Sequence, residues 1–144
     1  SDLLAKTAIK MNKLVDYLKN KYKDNEVVDR LVSRFNPKKI VEILPNSEYT
    51  AYSENKGRKI AFCLNKEKNK DDNLIDENTL MFVALHEMSH IATKSIGHKE
   101  DFWINFKFLI KEASECNVYT LEDYSKNPKE YCSMPIKDNP YFDL

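Results

Sequence analysis

The chain has 144 residues, with 23 Lys plus Arg against 23 Asp plus Glu, two glycines and five prolines. This length supports one domain, 1–144, with a substantial core, and the composition excludes a disordered or low-complexity chain. The balanced charge gives no overall basic field for nucleic acid, so only the lysine-rich segments 6–23 and 66–70 offer a route to DNA.

Residues 3–22 read as a helix, because Leu4, Ala8, Met11, Val15, Leu18 and Tyr22 recur at steps of four and three and form one apolar stripe. A second helix follows over 25–35, with Val28, Leu31, Val32 and Phe35 on one side, and Asn36-Pro37 stops it. KIVEIL predicts a strand over 39–44, broken by Pro45-Asn46. The stretch EYTAYSENKGRKIAFCLN predicts two strands joined at Asn55-Lys56-Gly57, where Gly57 supplies the positive φ of a hairpin turn. KEKNKDDN, residues 66–73, has nothing apolar to bury and reads as a solvated loop.

From about Glu77 to Ser95 the pattern is helical again, capped by Asp76 or Asn78. Its first turns are apolar nearly all round, so it should be central and buried, with Gly97 ending it in the left-handed conformation. A fourth helix over 99–115 puts Phe102, Trp103, Phe106, Leu109, Ile110 and Ala113 on its inner face. Residues 117–144, rich in Tyr, Pro and Asn, read as an extended tail wrapping the domain. The longest apolar run, LMFVAL at 80–85, is too short to span a bilayer, and no signal peptide is seen. Cys63, Cys116 and Cys132 are odd in number and widely spaced, which is neither a disulfide framework nor a CxxC zinc ribbon. This pattern points to a reducing, intracellular compartment.

All three histidines fall in one stretch, HEMSHIATKSIGH, residues 86–98. HEMSH is an HExxH sequence. On a helix, His86 and His90 lie on one face a turn apart and can bind a single Zn²⁺, while Glu87 can take a proton from a zinc-activated water and later pass it to a leaving amine. HExxH also occurs on ordinary helices, but two histidines and a glutamate buried without a metal are costly unless otherwise paired. A catalytic zinc keeps three protein ligands and an open position. His98, eight residues past His90 beside the Gly97 turn, is the first choice for the third ligand, and Glu112 or Glu115 from the next helix are its rivals. The spacing is not that of HExxHxxGxxH, since Thr93 and Ile96 occupy the glycine and third-histidine positions. Phe102 and Trp103 can wall the site or simply anchor the fourth helix. Cys132 can approach the metal as an inhibitory thiolate or be an ordinary buried cysteine.

At HEMSHIATKSIGHKEDFW, and in the preceding SEYTAYSENKGRKIAFCLN, the chain resembles the WLM group of metalloproteases, relatives of the SprT-like proteases. The resemblance covers roughly residues 40–110, and the tail DYSKNPKEYCSMPI is similar to WLM-like proteins of large DNA viruses. It departs from the family in carrying Lys99-Glu100 after His98, where Gly-Pro often follows. The resemblance implies an α+β, zincin-like fold: two N-terminal helices, a small antiparallel sheet, the HExxH helix, a following helix and the tail. It also implies His86, His90 and His98 as zinc ligands, Glu87 as general base, and a protein or peptide substrate, including proteins crosslinked to or associated with DNA. In such folds an extended substrate pairs with a strand beside the cleft, here the one around Ile60–Leu64. Tyr52, Tyr124 and Tyr131 are candidates to stabilise the oxyanion. The alternative is a non-catalytic, zinc-stabilised module that binds peptide or DNA.

Overall fold

The apolar run that opens the HEMSH segment becomes the centre of the molecule. A computed structural model describes residues 2–43, 52–54, 59–64, 75–131 and 134–136. The helix α3, Glu77–Ala92, buries twelve of its sixteen residues, from Thr79 to Ala92. A helix apolar on every side must be enclosed, and α3 packs against α1 (Asp2–Lys21), α2 (Glu26–Arg34) and α4 (Glu100–Glu115) and also touches the sheet.

The N-terminal helices follow the predicted stripes. In α1, Met11, Leu14, Val15 and Leu18 are buried, and in α2, Val28 and Leu31. Asn25 caps α2 by accepting from the Val28 N–H at 3.1 Å. Among the described residues, three ion pairs fasten α1: Lys10 to Glu77 at 3.1 Å, and Lys21 to Glu112 and to Glu115, each at 2.9 Å. Glu112 is almost wholly buried and also accepts from the Tyr22 hydroxyl. Those two carboxylates hold the Lys21 ammonium well above the ordinary lysine range.

The sheet differs from expectation. Strands β1 (Ile40–Ile43), β2 (Tyr52–Glu54) and β3 (Lys59–Cys63) lie in the order β1-β3-β2. β2 and β3 are antiparallel, as the hairpin reading requires, but β1 and β3 are parallel, so the sheet is mixed rather than antiparallel. The cause is burial. Ile60, Ala61, Phe62 and Cys63 are all enclosed, and a strand apolar on both faces takes the middle of a sheet. The Gly57 turn, the 66–73 loop and Cys132 fall outside the described residues.

Two boundaries also shift. α3 ends at Ala92 with Thr93 as its cap, three residues earlier than its pattern predicts. Gly97 does adopt a left-handed φ of 86°, but in the segment between α3 and α4 rather than at the helix end. The described part of the tail contributes to the core and forms two short strands. Val118, Tyr119, Tyr124 and Tyr131 join the core, and β4 (Lys129–Tyr131) pairs antiparallel with β5 (Met134–Ile136). Among the described residues no helix is long and apolar enough to cross a membrane.

Asp76 is the cap that α3 uses. Its carboxylate accepts from the Thr79 N–H at 2.8 Å and from the Thr79 hydroxyl at 2.7 Å. Asn78 instead ties α3 to the tail, exchanging two 2.9 Å hydrogen bonds with the Thr120 backbone. Asp76→Ala should therefore cost about 1 kcal/mol of stability in urea denaturation. An unchanged midpoint would show that the cap contributes nothing.

Candidate metal centre

Residues four apart on a helix share a face, and α3 realises this for His86 and His90, whose ring centroids are 5.0 Å apart. His98 returns to the same point from the segment beyond α3. Its ring lies 5.1 Å from that of His86 and 4.8 Å from that of His90. One ligand atom from each of the three lies within 4.8 Å of the others, and the Nε2 atoms of His90 and His98 are 3.1 Å apart. Tetrahedral zinc with bonds of about 2.0–2.1 Å sets its donors about 3.4 Å apart. The His90–His98 pair lies close to that spacing. Three imidazole nitrogens this close together are a donor set suited to a metal ion. Glu87, 5% exposed, lies beside them, with Oε1 3.3 Å from His86 Nδ1.

Apolar packing closes the underside of this cluster. Phe102, wholly buried, sets its ring against all three imidazoles, at centroid distances of 5.1, 4.4 and 4.8 Å from His86, His90 and His98. Its own carbonyl accepts from the Ser89 hydroxyl of α3 at 2.8 Å. Of the two readings for Phe102, both apply: it anchors α4 and it walls the site.

Hydrogen bonds that local sequence does not reveal hold the edges. Arg30 and Arg34 of α2 donate to the Ala92 and Ile91 carbonyls at 2.7 and 3.5 Å. They satisfy the open end of the helix that carries His90 and place positive charge where its dipole is negative. In the segment that carries His98, Asn105 donates to the Thr93 hydroxyl at 2.9 Å, and Ser95 donates to both Asp101 oxygens at 2.6 Å. The Trp103 indole N–H donates to the His98 carbonyl at 3.2 Å.

The rival ligands go elsewhere. Glu112 and Glu115 are drawn to Lys21 at the end of α1. Of the tyrosines, Tyr124 is buried against Phe82 and bonded to Tyr119, whereas Tyr131 accepts from the Cys63 N–H at 2.8 Å. Burial pushes the Tyr131 phenol well up, and the nearby Glu87 carboxylate adds to the rise. The Tyr52 side chain lies outside the described residues. β3, expected to pair with substrate, is the middle strand and has neighbours on both sides. Cys63 is disulfide-bonded, and Cys116 is the free cysteine among the described residues.

Residues 25–139, most of the chain, match the WLM domain. The chain belongs to the WLM family. Three uncharacterized viral proteins are similar to this WLM protein. The first, from Acanthamoeba polyphaga mimivirus, is 37% identical over 100 residues, which is 69% of this chain and 50% of the relative. One from Invertebrate iridescent virus 6 is 35% identical over 75 residues, 52% of this chain and 41% of the relative. One from Invertebrate iridescent virus 3 is 37% identical over 59 residues, 41% of this chain and 36% of the relative. The matched region is thus half or less of each relative's length. No solved structure matches at a significant level. The WLM match takes in α2, α3, α4 and all three histidines, while α1 precedes it.

The Ser95 hydroxyl is the chief reason that the Asp101 carboxyl sits below its ordinary value of 3.8. A depressed carboxylate contributes stability that is present above the ordinary value and is lost as pH falls through the depressed one. Ser95→Ala in this WLM protein should accordingly raise the Asp101 titration midpoint, followed by NMR. A midpoint that stays put would show that another partner holds the carboxylate.

Proposed function

We propose that the chain is a zinc metallopeptidase that hydrolyses peptide bonds by attack of an activated water, with Glu87 as general base and His86, His90 and His98 as the metal ligands. The observation that carries this reading is the convergence of the three imidazoles with a carboxylate beside them, in a chain with no other histidine. Zinc, when bound, supplies Lewis acidity that polarises the peptide carbonyl and makes water acidic enough to ionise near neutral pH.

The chain's own residues do the rest. Glu87 receives the water proton and returns it to the leaving amine. Its burial and the Phe102 wall keep that exchange out of bulk water, in a lower-dielectric setting in which a fixed charge acts more strongly. Since β3 is interior, the substrate strand pairs with β2, an edge of the described sheet that also touches α3. Of Tyr124 and Tyr131, Tyr131 is the better candidate to face the reacting carbonyl, since the Glu87 charge acts on its phenol. Proteins held on DNA are the substrate class that the family relationship suggests. Exposed Lys6, Lys13 and Lys19 on α1 offer phosphate contacts, whose signature is salt-dependent binding.

Glu87→Gln tests the mechanism. General-base catalysis is worth about 10²–10⁴-fold, so cleavage of an unfolded protein should fall at least about 100-fold while zinc content stays at the wild-type level. Equal cleavage by both proteins would contradict the mechanism. A zinc-loaded wild type that cleaves neither free nor DNA-bound protein would favour the binding module.

A further inference from the structure

We propose that Trp103 is the positioning residue that holds His98 in ligand geometry, and that it thereby sets the affinity of the site for zinc. The proposal rests on the zinc reading above. His86 and His90 are fixed by the backbone of α3, and their separation follows from the helix itself. His98 is carried by neither α3 nor α4. It is exposed, lies between two helices and follows a glycine whose φ is 86° and which has nothing within 4 Å of where a Cβ would stand. The Thr93–Asn105 and Ser95–Asp101 contacts pin the segment earlier, at residues before the ligand.

Trp103 acts on His98 itself, in two ways. Its indole N–H donates to the His98 carbonyl at 3.2 Å, which fixes the backbone of that residue. Its ring also faces the imidazole, with centroids 5.9 Å apart and planes tilted by 40°, which restricts the side chain. The indole is in turn held by α4, edge-on to Phe102 at 5.1 Å and stacked on Phe106 at 6.0 Å. A rigid aromatic cluster thus transfers the order of α4 to the one ligand that no helix carries. Groups that orient metal ligands typically change metal affinity 10–100-fold when removed.

The test is a chelator competition for zinc on the full chain, with wild type, Trp103→Phe, His98→Ala and the double variant. Trp103→Phe keeps an aromatic ring and removes the donor, so zinc affinity should fall about 10-fold. In the His98→Ala background the same change should alter affinity little, because the imidazole ligand that Trp103 positions is gone. A wild type that binds zinc tightly alongside an equally tight Trp103→Phe would overturn this proposal and leave the zinc reading standing. A loss of the same size in both backgrounds would also overturn it, since that marks a general effect on folding. A wild type that takes no zinc would overturn both.

Discussion

The structure depends on one conflict, resolved within α3. The helix must be buried on every side to satisfy its apolar residues, yet its last turns carry two imidazoles and a carboxylate that need polar company. The fold meets both demands by changing the surroundings along the helix. The first turns are enclosed by α1, the sheet and the tail, with Tyr119, Tyr124 and Phe82 packed together. At the last turns the enclosure opens on one side, where His86 and His90 are half-buried and His98 is exposed. Glu87 stays buried next to His86. Burying a carboxylate is expensive, and beside the His86 contact a metal on the neighbouring imidazoles would offset more of that cost.

The same logic of buried charge explains α1. Glu112 stands on the face of α4 that turns inward, and it is tolerated because the Lys21 ammonium and the Tyr22 hydroxyl reach it. From its sequence position Glu112 is a rival to His98 as the third metal ligand. The structure assigns it to the anchoring of a helix that lies outside the residues matching the family.

What was legible in the sequence was what local pattern encodes. The four helices followed from apolar periodicity, the Asp76 cap from residue type, and the grouping of His86, His90 and His98 from helical spacing plus a nearby turn. The misreadings arose where the answer depends on partners distant in the chain. Strand order is one: the apolar run in KIAFC does not say which strands flank it or in which direction, and burial on both faces places β3 in the middle. The end of α3 is another. Gly97 has the backbone freedom of a helix stop, but Thr93, bonded to Asn105, ends the helix earlier. The arginines of α2 on the α3 carbonyls are about sixty residues away in sequence, and no motif announces them. Trp103 was visible as an aromatic near His98, but its hydrogen bond to that residue's backbone was not.

The central claim is that three histidines converge in order to hold one metal ion. Elemental analysis of the purified chain, wild type beside His98→Ala, tests it most directly. The account predicts about one zinc per wild-type chain and a clear loss in the variant, as expected for a site that needs three protein ligands. A wild type that stays free of zinc after the metal is supplied would contradict it, and HEMSH would then be an ordinary turn of a packed helix.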